Sequence, residues 1–223
     1  MTVWDPDDLT HDEVDEDLNS DDDFDDEADD DEAGDLDDTD DLDEADDLDE
    51  TDDLDDADDD EIDFCVALYR EDGEPTGVAL EPELANDFEE LIAYLQRIPG
   101  DAGAIGLVSL DSDALVAVRV RGPRHVQVFV SDVYFVDTWP LVRDAIDFLG
   151  LEPGTGDVPE EGPVGDLGMF ADQGLSEMDV EAIFMDADEL TSEDIAEKIA
   201  HGMRFGSVFH KAVDDYWDLE DDE

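Results

Sequence analysis

The sequence predicts an α+β fold: a mainly antiparallel sheet of about four to five strands with two packed helices, followed by a small C-terminal helical lobe. Three observations predict it. Residues 104–137 contain three strand-like runs joined by short turns. Segments with apolar residues at helical spacing lie on both sides of this block. Residues 166–217 hold only short helical patterns behind a segment rich in proline and glycine.

The strands are predicted from apolar runs that are bounded by turn residues. Residues 62–70 are apolar on both faces of the strand, which favours a central position in the sheet. Residues 77–80 are expected to form a short pairing strand. The strands of the central block are 104–110, 114–121 and 125–131, of which the last two form a hairpin.

Two helices are expected to cover the sheet. The first begins between Pro82 and Asn86, with Asn86 and Glu89 in a capping-box pattern. The second opens at residues 137–140, with Thr138 or Asp137 as its cap. It ends at Gly150, because glycine is the usual residue at a helix C-terminus.

These elements divide the chain into four predicted regions. Residues 62–150 form the α+β domain, 151–165 a linker and 166–217 the helical lobe. Residues 1–61 form an acidic tail that we predict to be disordered, because its 37 Asp and Glu repel one another and no Lys or Arg offsets them. Residues 35–58 of this tail repeat a hexapeptide whose leucines form no helical stripe. The repeat is interpreted as a solvating segment or, alternatively, as a flexible arm for basic surfaces.

The formal net charge of −66 restricts the possible partners. Direct nucleic-acid binding needs Lys and Arg to displace counterions, and anionic membranes repel such a chain. Outside the tail, 75 − 37 = 38 acidic residues still face only 9 basic ones. No apolar run approaches a membrane span, and the first residues lack the features of a secretory signal. With one cysteine, a cytoplasmic protein is expected.

We predict no catalytic, cofactor-binding or metal-binding residues, and therefore no enzyme. Cys65 lies in the middle of an apolar strand, and one cysteine cannot supply the paired-cysteine zinc loop of a nucleobase deaminase. A calcium-binding EF-hand pattern is also incomplete, since Thr191 stands where the loop requires glycine. The acids at its matching positions are Asp186, Asp188, Asp194 and Glu197.

The candidate contact surface is the basic end of the hairpin, with Arg119, Arg121, Arg124 and His125. Two interpretations remain open: these side chains pair with acids of the same chain, or they contact an acidic partner surface or a phosphate. A second candidate surface is residues 132–137, which follow a strand end and would suit a small-molecule-binding module.

Several segments resemble the actinobacterial family of tRNA adenosine deaminase-associated proteins over residues 62–215. The segments that carry the resemblance are FCVALYREDG, LIAYLQRIPGDAGAIGLVSL, VAVRVRG, VFVSDVYFVDTWPL and GDLGMFADQGLSEMDVEAI. The resemblance does not cover the acidic tail, and no catalytic residues can be carried over from it. It implies a tRNA adenosine deaminase as partner, and an accessory role in wobble-adenosine deamination through protein–protein contact.

Overall fold

A computed structural model describes residues 54–152, 155, 159–185 and 190–220. They form a six-stranded antiparallel sheet in the order β2-β1-β3-β4-β5-β6. The strands are β1 (Ile62–Glu71), β2 (Glu74–Ala79), β3 (Ala104–Leu110), β4 (Ala114–Val120), β5 (Val126–Val130) and β6 (Val164–Gly165). The helices are α1 (Phe88–Leu95), α2 (Pro140–Leu149), α3 (Glu177–Phe184), α4 (Ser192–Gly202) and α5 (Gly206–Glu220).

The predicted α+β class with an antiparallel sheet is confirmed, but the sheet has six strands rather than four to five. The additional strand is β6, which has two residues and lies in the segment predicted as a linker. Two residues are too few to show the alternation by which a strand is recognised in a sequence. β6 pairs with β5 and extends the sheet at that edge.

The centre of the sheet is buried on both faces. Every residue of β3 and β4 is buried, and the middle of β1 is buried as well. Side chains of neighbouring residues in a strand point to opposite faces, so such strands need a covering layer on each side. In β3, Gly106 faces Leu91 and Leu95 of α1, whereas Ser109 faces Ser192 of α4. The sheet therefore separates two helical layers.

The first layer consists of α1 and α2. Leu91 of α1 and Ile146 of α2 are among the fully buried side chains, as their helical spacing predicts. The start of α1 differs from the expectation: Asp87 is the N-cap and accepts a hydrogen bond from the Glu90 amide at 2.7 Å. Asn86 is not the cap, because its side chain exchanges two hydrogen bonds with the backbone of Ala57.

The preceding segments also differ from the prediction in detail. A 3₁₀ helix, Pro82–Ala85, occupies the place where the first α-helix could have begun. A second one, Val133–Asp137, precedes α2, whose N-cap is Trp139 rather than Thr138. Gly150 ends α2 in the left-handed conformation with φ 67°, as predicted.

The second layer contains a 3₁₀ helix, Leu167–Gln173, and the helices α3, α4 and α5. The helix α5 lies on β1 and β2, and its Phe209 ring meets Phe64 of β1 edge-on at 5.4 Å. The approach to β2 is close, because a Cβ added at Gly77 would lie 2.4 Å from the Val208 carbonyl oxygen. Thr191 and Asp194 form a capping box that begins α4.

The packed unit begins before β1. Ala57 is 6% exposed and is held by the Asn86 side chain. Residues 1–53, which carry most of the acidic tail and its repeat, lie outside the described residues. Within the described part of the chain, no helix has the length and apolar character needed to cross a membrane.

Candidate functional site

Arg119, the first of the four candidate contact residues, is buried in the second layer with 1% of its side chain exposed. Its guanidinium donates hydrogen bonds to both carboxylate oxygens of Asp172, one of them at 2.8 Å, and to the carbonyls of Met169 and Ala102. The hydrogen bond and charge of Arg119 lower the pKa of the Asp172 carboxyl, together with the charge of Arg121, although partial burial opposes them. Arg119 therefore fastens the 3₁₀ helix Leu167–Gln173 to the sheet.

The other three candidates lie at the accessible end of the hairpin. Arg121 contacts His125 Nε2 at 2.7 Å and donates to Gln127 Oε1 at 2.6 Å. Because arginine can only donate, the Nε2 atom of His125 accepts in this contact. Gln127 in turn donates to Asp166, so a chain of polar contacts crosses this edge of the sheet. Arg124 is exposed at the turn. A partner contact at the hairpin end stays a prediction, and Arg121, Arg124 and His125 are the accessible residues among the four candidates.

Residues 132–137, the second predicted surface, serve the fold in two ways. The Asp132 carboxylate caps the 3₁₀ helix by accepting from the Tyr134 amide at 2.9 Å, and it also accepts from the Gly162 amide at 2.6 Å. Asp137 lies 3.6 Å from the Arg143 guanidinium. Tyr134, in contrast, is exposed over 66% of its surface. The Asp132 carboxylate is thus already engaged within the protein.

A cavity of about 420 Å³ lies beside Asp132. Its lining contains two further carboxyl side chains, Asp113 and Glu161, but neither Lys, Arg nor His. Burial and the charges of Asp111 and Asp63 raise the pKa of the Asp113 carboxyl. These groups offer a poor environment for an anionic metabolite, because no cation in the lining would pair with it.

The side chains of Cys65 and Ser109 have structural roles. Cys65 is fully buried, and desolvation raises the pKa of its thiol far above the ordinary value, which disfavours the reactive thiolate. Ser109 donates to Asp63 at 2.8 Å and lies 2.7 Å from the Ser192 hydroxyl. Asp63 also accepts from the Ser112 amide at 2.7 Å, so this cluster ties the β3–β4 turn to β1.

The metal-binding patterns of the sequence are not assembled in the part that the structure describes. No group of three His, Cys, Asp or Glu side chains is arranged to hold a metal ion there. Asp194 takes part in the capping box of α4, and Glu197 lies 3.2 Å from His210. Asp186 and Asp188, the other acids of the EF-hand pattern, lie outside the described residues.

An open groove between α1 and α2 was not predicted from the sequence. This α1–α2 groove has a volume of about 730 Å³. Its apolar part includes Phe88, Ile92 and Phe148, and the two phenyl rings lie 5.4 Å apart. The charged residues along it are Asp87, Glu89, Asp144 and Asp147, and its lining contains no Lys, Arg or His. The indication of this groove in the sequence was Phe148, an aromatic residue that lies outside the buried side of α2.

The fold and these surfaces define a three-layer α+β domain whose accessible features are a small basic hairpin end and an acidic groove with an apolar floor. Residues 63–206 match the model of the family described as Rv3753c-like tRNA adenosine deaminase-associated protein. The chain belongs to this family, which agrees with the resemblance noted in its sequence. Searches of curated proteins and of solved structures found no match.

Proposed function

We propose that the protein is a non-enzymatic accessory partner of a tRNA adenosine deaminase and acts by direct protein–protein contact in the cytoplasm. One observation carries the proposal: residues 63–206 belong to a family described by its association with such a deaminase. The match covers the sheet and the helices α1 to α4, and it ends where α5 begins.

The chemistry of the chain supports an accessory role rather than deamination. A zinc-dependent nucleobase deaminase needs two cysteines of one loop as metal ligands, together with a histidine or third cysteine and a catalytic glutamate. The chain has one cysteine, and Cys65 is buried in β1. Net charge supports contact with protein rather than with tRNA, because phosphate groups are repelled by a chain of −66.

The deaminase would meet a surface of strongly negative charge. An enzyme that binds tRNA is expected to carry a basic face, and opposite charges accelerate encounter between two proteins. The accessory protein would then compete with tRNA for that face or hold the enzyme ready for it. In either case the association weakens as the salt concentration rises, because salt screens exposed charges.

The test is binding of the purified full-length chain to the deaminase at low and high salt, followed by inosine formation on tRNA. We expect binding at micromolar concentration or tighter, weakened by salt. The contribution of the hairpin end to binding is examined with the double variant Arg121→Gln/Arg124→Gln. The control is Arg97→Gln/Lys198→Gln, which makes the same change of charge elsewhere on the exposed surface. Absence of binding, together with normal editing in cells that lack the protein, would refute the proposal.

A further inference from the structure

The α1–α2 groove combines two properties that seldom occur together on a surface without a partner. Its floor exposes aromatic surface, since Phe148 is 50% exposed while its ring rests against buried Phe88. Apolar surface that stays in contact with water in the free protein is a source of binding energy once it is covered. The groove volume of about 730 Å³ is in the range of sites that hold a ligand or a few side chains.

The carboxylates of α2 at this groove oppose the local stability of the helix. Asp144 and Asp147 are three residues apart, so two like charges are neighbours on one face of α2. Asp147 also lies in the last turn, where the helix dipole disfavours a negative charge. Partial burial raises the pKa of the Asp144 carboxyl, and Asp147 and Asp87 raise it further, while Arg143 opposes them.

The two acidic residues at the start of α1 stabilise that helix, whereas the two acidic residues of α2 have no such role in their helix. Asp87 caps the helix, and Glu89 lies in the first turn, where the dipole favours negative charge. Asp144 thus stands out as a charge that weakens the free protein, and a bound cation would relieve its repulsion with Asp147. Their neighbour Phe148 supplies the apolar contact that an isolated metal ion or a diffuse counterion could not use.

We propose that the α1–α2 groove is the docking site for a positively charged amphipathic segment of a partner protein. An apolar side chain of that segment packs against Phe88, Ile92 and Phe148, and its Lys or Arg side chains pair with Asp144 and Asp147. The proposal rests on the proposed function only for the identity of the partner, the deaminase. The chemistry of the segment follows from the groove itself.

Charge distinguishes this occupant from the alternatives. A second copy of the chain carries −66 charges and would bring further carboxylates to the groove. Residues 1–53 of the same chain contain no Lys or Arg, so they too would be repelled. A basic helix with apolar residues on one side meets both the carboxylates and the floor, as helices do in other hydrophobic grooves.

The first test uses the full-length chain and three synthetic helical peptides of about four turns. One peptide is basic with a leucine face, the second has the same charge with serine in place of leucine, and the third has the leucine face with Glu in place of Arg. Affinity is measured at about 0.15 M salt, where long-range attraction is screened. Hydrogen exchange of the backbone amides then locates the bound peptide.

We expect only the basic peptide with the leucine face to slow exchange in α1 and α2. Asp144→Asn/Asp147→Asn and Phe148→Ser should each weaken its binding by about tenfold or more. Their matched controls, Glu177→Gln/Glu181→Gln and Met178→Ser, change exposed residues of α3 and should leave affinity within about twofold. Equal losses in the controls, protection elsewhere, or equal binding of the serine peptide would overturn the inference.

The second test repeats the same variants with the purified deaminase. If the wild-type chain binds and the groove variants bind equally well, the groove inference is wrong while the proposed function stands. If the basic peptide docks in the groove but the deaminase does not bind, the proposed function is wrong and the groove serves a different basic partner. The neutralising variants are suited to this test, because removing repulsion on α2 should not unfold the protein.

Discussion

The two faces of the sheet are covered by helices in different ways. On the face of α4 and α5, the backbone of α5 approaches β2 so closely at Gly77 that a single methyl group would not fit. The same layer is held by the buried guanidinium of Arg119. On the face of α1 and α2, each helix buries one side in the core, but a groove stays open between them and Phe148 is half exposed.

This difference separates residues that maintain the fold from residues available for binding. In the second layer, the buried Arg119 guanidinium is engaged with Asp172. A change there should lower stability. The outer sides of α1 and α2 carry groups that the fold does not require, so a change there should alter binding with little effect on folding. The following predictions test that separation, beginning with the largest effect.

Substitutions on the inner and outer sides of the first layer should differ most in their effect on the free energy of unfolding. Leu91→Ala and Ile146→Ala should each lower the free energy of unfolding by about 2–5 kcal/mol, because both side chains are fully buried and would leave cavities. Phe148→Ala should cost less than about 1 kcal/mol, because half of that side chain is already in water. Chemical denaturation measures all three variants. Similar losses at the three positions would show that the groove belongs to the core.

In the second layer, Arg119→Met should lower the free energy of unfolding by about 2–3 kcal/mol. The substitution keeps much of the volume but leaves the carbonyls of Met169 and Ala102 without their donor. Urea denaturation of the variant is compared with that of Arg121→Met, whose side chain is 35% exposed and can be replaced by water. A stability equal to that of the wild type would mean that the buried arginine does not hold this layer.

The close approach of α5 to β2 is tested by Gly77→Ala. This substitution should lower the free energy of unfolding by about 1–3 kcal/mol, because the new methyl group meets backbone rather than a movable side chain. The control is Gly168→Ala, where the nearest atom to the added Cβ is a side-chain oxygen at 3.4 Å. Alanine in place of glycine ordinarily stabilises when the conformation allows it. A gain in thermal midpoint for both variants would therefore contradict the close packing.

Local signals in the sequence predicted much of this fold, and distant contacts explain what they missed. The capping box of Thr191 and Asp194 needs residues three positions apart, so the sequence displays it directly. Arg119, in contrast, finds its partner Asp172 53 positions away, and no local pattern reveals that a cation will be buried. Asn86 is of a residue type that often caps helices, but its side chain binds the backbone of Ala57, 29 positions earlier.

The candidate site was predicted less well than the fold, for the same reason. The sequence drew attention to the hairpin end because its cations are rare in an acidic chain, and it could not show that Arg119 points inward. The groove requires α1 to lie beside α2, which is a consequence of how both helices pack on the sheet. Asp144, Asp147 and Phe148 are visible in the sequence only as residues outside the apolar side of α2.

The beginning of the packed unit is tested by two deletions. Removing residues 1–53 should leave the thermal midpoint unchanged or higher, because it removes self-repulsion. Removing residues 1–61 should lower stability by about 1–2 kcal/mol, since the exchange of two hydrogen bonds between Ala57 and Asn86 is lost. Calorimetry at one salt concentration compares both with the full chain. A large loss on the shorter deletion would show that the acidic segment stabilises the domain.

The smallest expected effect is that of Asp144→Asn in the α1–α2 groove, and its sign matters more than its size. At neutral pH the variant should be more stable than the wild type by about 0.2–0.5 kcal/mol, because it removes one of two like charges on α2. Partial burial and the nearby carboxylates of Asp147 and Asp87 raise the pKa of Asp144, so the folded protein binds this proton more tightly than the unfolded chain does.

It follows that the ionised Asp144 carboxylate weakens the fold above its raised folded-state pKa, and that this effect is lost as the pH falls through that pKa. The advantage of Asp144→Asn should therefore disappear in acid. Asp172→Asn is the control of opposite sign: the pKa of Asp172 is lowered, so its carboxylate stabilises the fold at neutral pH and loses that effect on acidification. Urea denaturation of both variants and the wild type between neutral pH and about pH 3 measures the differences. If Asp144→Asn is less stable than the wild type at neutral pH, Asp144 maintains the fold, and the contrast between the two faces does not hold at the groove.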